Sequence, residues 1–184
     1  APPNVLEERT VGPGLGADSI QAGKIACIAG VALIIIFMVV TYGLFGIFSC
    51  VGLLANLVLT LAVMSALQAT LTLPGIAGIV LSVGVTIDSN VLIFERMREE
   101  LRAGRSVVSA MDTGYHRAMT TIIDSNLTQL IASLALYAFG TGPIKGFAVT
   151  LSIGIAISMF TAITLTRVMI VTWLRRTRPQ TLPI

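Results

Sequence analysis

Five long apolar runs, separated by short polar breaks, dominate the chain. They span about Lys24–Tyr42, Gly46–Thr70, Pro74–Phe94, Ala118–Phe139 and Phe147–Trp173. Each approaches or exceeds the ~20 residues that cross a ~30 Å hydrocarbon core. The runs are too long for strands and lack period-two alternation, so they predict helices. The fourth is the weakest, because Thr120, Thr121, Asp124, Asn126, Thr128 and Gln129 interrupt it. Neighbouring helices are expected to surround it. The predicted fold is an all-α membrane protein with a five-helix transmembrane bundle over residues 24–174.

The flanks read differently. Residues 1–23 are polar and hold Pro2, Pro3 and Pro13. Val5 to Val11 suit a short strand, which Gly12-Pro13-Gly14 then interrupts. This stretch is expected to be the C-terminal remnant of an external domain. The chain starts at Ala1 without the basic and apolar regions of a signal peptide, which suggests a fragment or a processed product. Connections between runs are short except for Glu95–Arg117, which reads as a polar helix, a break near Gly104 and a second short helix. Its simplest role is a solvated interfacial loop.

Composition agrees with a membrane reading. Charged residues make up 11% of the chain, against roughly 25% in a soluble domain, and mean hydropathy is +0.91. The net charge of +3 is spread over loops and ends with no aromatic-basic platform, so no nucleic-acid partner is expected. The cations are distributed unevenly. Eight flank one side (Arg96, Arg98, Arg102, Arg105, Arg117, Arg175, Arg176, Arg178), and Arg9, Lys24 and Lys145 flank the other. By the positive-inside tendency, loop 95–117 and tail 175–184 are expected in the cytoplasm and the N-terminal stretch outside.

A few residues do not belong in lipid. Asp88 and Asp124 lie in consecutive apolar runs, each opening the tripeptide Asp-Ser-Asn, and Arg167 lies in the last run. An ionised Asp or Arg at the centre of a spanning helix costs about 3 kcal/mol on insertion scales, and such residues normally face an interior or an ion pathway. Asp88 is seven residues from Glu95 and Asp124 seven from Arg117, roughly 10 Å in from one end at 1.5 Å per residue. Arg167 is eight residues from Arg175, roughly 12 Å in. The three are therefore expected at one level, as a coupled titrating site with Asp88 as main proton carrier. Asn90, Asn126, Thr121 and Asn56 are candidate supporting polar groups. The alternatives are a structural ion pair, and snorkelling of Arg167 to the interface. Ala77, Gly84 and Asp88 share one helical stripe, and small residues on a stripe permit close helix approach.

Other residues invite plainer readings. Cys27 and Cys50 sit in apolar runs as small hydrophobes, with no cluster that suggests a metal or redox pair. His116 borders the interface, and Gly140-Thr141-Gly142-Pro143 reads as an external turn. No nucleotide cradle or nucleophile–base–orienter set is visible, so neither a cofactor nor an enzyme is expected.

Four stretches carry a resemblance: Glu7-Glu8-Arg9-Thr10-Val11-Gly12-Pro13; Asp88 to Arg96 (DSNVLIFER); Thr121 to Asn126 (TIIDSN); and Gly140 to Ala148 (GTGPIKGFA). In order and over nearly the whole chain, they resemble the C-terminal membrane region of the SecD family of protein-export subunits, in the resistance-nodulation-division superfamily. Ser89 and Ser125 stand where that family usually has Ala, a small change that leaves both carboxylates in place. The SecF family is similar in layout but differs after the membrane Asp. The resemblance implies half of a resistance-nodulation-division type membrane domain, lacking a first helix and a large external domain. It implies a bacterial inner-membrane protein that couples proton flow to translocation of exported preproteins. The partners it implies are a SecF-type subunit, a SecYEG-type channel and surrounding lipid. Two other classes remain: a proton-driven small-molecule exporter of the same superfamily, and a translocon scaffold without proton coupling.

Overall fold

The computed structural model describes residues 13–69 and 71–177, and every regular element among them is helical. The strand expected at Val5–Val11 and the last seven residues of the tail lie outside the described residues. Helix α1 runs Pro13–Ala66, α2 Leu73–Arg102, α3 Val107–Phe139 and α4 Pro143–Phe160. A π-helical stretch, Thr161–Thr166, joins α4 to α5, Arg167–Thr177.

Four helices are long and apolar enough to cross a membrane, not the five expected: Gln21–Ala66, Leu73–Arg102, Val107–Phe139 and Pro143–Thr177. The difference lies in α1, which merges the first two apolar runs. At Gly43 the backbone leaves helical geometry, with φ 52° and ψ −122°, a conformation that glycine adopts without steric cost. The chain then doubles back. A Cβ placed on Gly46 would overlap the carbonyl of Met38. Eight residues along a straight helix would separate those groups by about 12 Å. The two arms of α1 therefore meet at a tight turn around Gly43.

Residues 13–23 are the start of α1; Pro13 suits the first helical position, where its missing N–H is not needed. The polar stretch 95–117 is mostly helix. It continues α2 to Arg102 and opens α3 at Val107, leaving only residues 103–106 as a turn, with Gly104 at φ 83°. Glu100 secures that turn. Its side chain is 5% exposed and bonds Arg105, 2.7 Å away across the turn, and Arg117 on α3.

The other ends follow ordinary capping chemistry. Thr72 Oγ1 accepts from the Gly75 N–H at 3.1 Å, and Pro74 lies in the first turn of α2. Pro143 opens α4 in the same way.

A hydrophobic core gathers around the Gly43 turn. Phe45 stacks at 5.5 Å from Phe94 and meets Trp173 edge-on at 5.7 Å. Met38, Leu53, Ile93, Met97, Ile122 and Ile170 complete this core. Elsewhere large apolar side chains point outward; Val40 is 80% and Ile28 70% exposed. In lipid such exposure carries no hydrophobic penalty, and association instead draws on close packing and interhelical hydrogen bonds. The polar interior fits this rule. Asn56 on α1 bonds the Thr86 hydroxyl on α2, while Thr60 Oγ1 donates to Asn56 Oδ1 at 3.0 Å. Ser133 on α3 and Ser152 on α4 share a bond of 2.8 Å.

Candidate functional site

Helices α2 and α3 run antiparallel and approach closely where Gly114 faces the backbone of Met97. Asp88 lies nine residues from that contact along α2, and Asp124 ten along α3. At 1.5 Å per residue these are about 14 and 15 Å, so the two carboxylates occupy nearly one level.

Both carboxylates are exposed on the outside of the bundle. Among the described residues neither has an ion-pair partner or a side-chain hydrogen bond. Around Asp124, Thr120, Thr121, Ser125 and Thr128 are exposed as well. This polar patch on α3 would be costly against lipid alone. Asp88 sits one turn beyond Gly84, which ends an apolar groove of about 520 Å³ between Gly23 and Ala26 of α1 and Leu73–Gly84 of α2.

Thr121 shares the exposed patch with Asp124, but the three expected Asn point elsewhere. Successive odd positions on a helix stand about 200° apart, so in Asp-Ser-Asn the Asp and Asn face nearly opposite ways. Asn90 and Asn126 are buried, and each amide donates to its own helix, to Thr86 O at 3.2 Å and Ile122 O at 2.8 Å. Their Oδ1 atoms are buried without partners among the described residues. Asn56 binds Thr86 rather than a carboxylate.

Arg167 also stands apart. Its guanidinium lies 4.9 Å over the ring of Tyr115. Asp124 is nine residues beyond Tyr115, about 14 Å along α3 and half a turn around it. No ion pair joins Arg167 to either Asp among the described residues. The three charges therefore do not form one bonded cluster within this chain.

Two arrangements have no counterpart in the sequence reading. At the Gly43 turn, Glu95 accepts from the Tyr42 hydroxyl at 2.9 Å and pairs with Arg98 at 2.7 Å. Arg98 reaches the Thr41 carbonyl at 3.3 Å and lies over the Tyr42 ring. This clamp fixes the turn of α1 to the polar end of α2. The second is the hydrogen bonding of Tyr115 to the π-helical stretch. Only the apolar runs on either side of Tyr42, and the polar Glu95-Arg96-Met97-Arg98, hinted at the first; nothing in residue order announced the second.

The fold is that of a multi-pass membrane protein that carries Asp88 and Asp124 on an outer face. Residues 3–176 match the family described as protein export membrane protein SecD/SecF, C-terminal, and the chain belongs to that family. It is 50% identical to the protein translocase subunit SecD of Acetobacter pasteurianus, over 100% of this chain and 35% of the relative. To the SecD subunit of Calditerrivibrio nitroreducens it is 56% identical, over 94% of this chain and 33% of that one. Among solved structures, SecDF of Thermus thermophilus, described as a translocon-associated membrane protein, superposes with a TM-score of 0.89 at 42% identity, covering 94% of this chain and 24% of that one. SecDF in its super-membrane-facing form gives 0.83 at 43% identity, covering 90% and 23%. The chain spans about a third of the length of the curated relatives it matches.

Proposed function

We propose that this chain is the membrane module of a protein-export subunit that couples proton flow to the movement of exported proteins. One observation carries the reading. Asp88 and Asp124 share a level on neighbouring helices, yet both are exposed and unpaired among the described residues. A carboxylate kept in a spanning helix without an internal structural partner is suited to bind and release a proton. Asp88 is the main carrier and Asp124 titrates with it. Arg167 supplies positive charge nearer the cytoplasm. The decisive test is proton-gradient-dependent export by the full-length protein carrying Asp88→Asn.

The outer face requires a cover. A SecF-type partner subunit fills this role, seating a helix along Ala77, Gly84 and Asp88 and over the polar patch of α3. A Cβ added at Gly84 meets nothing within 4 Å among the described residues. Gly84→Leu is therefore expected to leave abundance unchanged and weaken partner co-purification roughly tenfold or more, as for a central contact. Unaltered co-purification would remove this face from the interface.

The two arms of α1 cross the membrane separately, making five crossings and placing the ends on opposite sides. Turn 103–106 and the Arg175 end are cytoplasmic, in the bacterial inner membrane, as the cation bias requires. A single cysteine at position 104 is expected to resist an impermeant thiol reagent in spheroplasts and to react in inverted vesicles. Labelling from outside would reverse the orientation.

A further inference from the structure

We propose that Tyr115 sets the rotational register of the last membrane segment, and through it the position of Arg167. Tyr115 is buried, and its hydroxyl lies 2.9 Å from the carbonyl of Ala162 and 2.8 Å from that of Ile163. Both carbonyls belong to the π-helical stretch Thr161–Thr166. In an α-helix the Ile163 carbonyl would accept from the Arg167 N–H. Here that N–H bonds Thr164 O, and the Tyr115 hydroxyl serves the Ile163 carbonyl from another helix. The same side chain offers its ring to the Arg167 guanidinium at 4.9 Å. One residue thus holds both the irregular turn and the charge that follows it.

A π-turn carries one residue more than the α-turn it replaces. Relaxing it to α rotates everything beyond by about 100°, the turn per α-helical residue. Met169 would then take the place of Ile170, and Arg167 would swing off the Tyr115 ring. The present register is not the cheapest for every group, because Thr166 Oγ1 is buried without a hydrogen-bond partner among the described residues. The Tyr115 hydroxyl offsets that cost. The segment therefore has two registers, and Tyr115 selects the one that stacks Arg167 on its ring. The role given to Arg167 rests on the proton-coupling proposal; the register does not.

The test is disulfide crosslinking in the full-length protein in native membranes, with Cys27 and Cys50 replaced by Ala. Met111 and Ile170 line one small cavity with Tyr115 and Arg167, so Met111→Cys with Ile170→Cys is expected to crosslink. Tyr115→Phe keeps the ring and removes the hydroxyl. It is expected to shift the ratio of 111–170 to 111–169 crosslinks by about fivefold to tenfold, the scale of one lost buried hydrogen bond. Deleting Ile163 removes the extra residue, so in the Tyr115→Phe background it should restore the 111–170 crosslink. A merely structural role for Tyr115 would lower stability and leave the crosslink pattern unchanged, and that result would overturn the proposal. If Tyr115→Phe does not accumulate, recovery of abundance and of the 111–170 crosslink by the Ile163 deletion supports it, and failure of that recovery overturns it. Neither readout depends on export, so an Asp88→Asn protein that still exports would leave this inference standing.

Discussion

Asp88→Asn is expected to abolish the gradient-dependent part of export while leaving the protein at normal abundance. Asn has nearly the same volume as Asp, and within this chain the Asp88 side chain makes no hydrogen bond or ion pair among the described residues. The substitution therefore removes no internal contact and deletes an exposed charge from a spanning helix. That change is neutral or favourable for insertion. Function should respond in the opposite way. One charge crossing 100 mV contributes about 2.3 kcal/mol, close to a fiftyfold bias between two packing arrangements. Without a titrating carboxylate that bias disappears, and export should fall to its rate in de-energised vesicles. Asp124→Asn is expected to have the same sign and a smaller effect. The measurement is export into inverted vesicles with and without an uncoupler, beside an immunoblot. A scaffold role predicts the reverse pattern, with lowered abundance and unchanged uncoupler sensitivity. Wild-type gradient-dependent export by Asp88→Asn would end the proton-carrier reading.

Gly46→Ala is expected to be among the most damaging single-methyl additions in the chain. The new Cβ would overlap the Met38 carbonyl across the turn at Gly43. A backbone carbonyl cannot rotate away as a side chain can. An ordinary overpacked core site costs about 1–3 kcal/mol, and a forced backbone shift should exceed that range. At 2–4 °C per kcal/mol for a chain of this size, the melting temperature should drop by roughly 10 °C or more. The damage should spread, because Tyr42 and Phe45 beside the turn pack on Phe94, and Tyr42 binds Glu95. Gly30→Ala is the control. Nothing lies within 4 Å of a Cβ there, and Ala favours a helix interior over Gly by about 1 kcal/mol. Its melting temperature should hold or rise slightly. Equal melting of the Gly46 and Gly30 variants would show that the close turn at Gly43 does not exist.

The legible and illegible parts of this protein divide along a physical line. Helical type and membrane residence follow from local composition, since twenty apolar residues in a row have few stable alternatives in lipid. The break near Gly43 could be placed between two apolar runs. Its consequence could not, because whether two arms stay hydrogen-bonded through a turn depends on one dihedral pair and on the clamp of Glu95 and Arg98. The stretch 95–117 was legible as a helix, a break near Gly104 and a second helix. Its charges look like a loop when counted, yet Glu100 is buried between Arg105 and Arg117 and holds two helices together.

The carboxylates show the same division. Residue order placed Asp88 and Asp124 at similar depths, because depth needs only the rise per residue and the nearest polar end. Direction around the helix was partly available too. The 200° between Asp and Asn in Asp-Ser-Asn already separates them, although the sequence reading gave both residues to one site. The side facing inward required the packed structure, since an amphipathic rule that puts polar groups outward in water has no fixed sense in lipid. The sequence by itself determined that this chain is helical, crosses a membrane and carries two carboxylates and an arginine inside its apolar spans. Those properties reside in single segments. Only the tertiary structure decided that Asn90 and Asn126 point inward, that both Asp face outward without partners among the described residues, and that Arg167 rests on Tyr115. Each of these depends on how far one helix is rotated against its neighbours, and that angle is set by contacts between residues far apart in the chain.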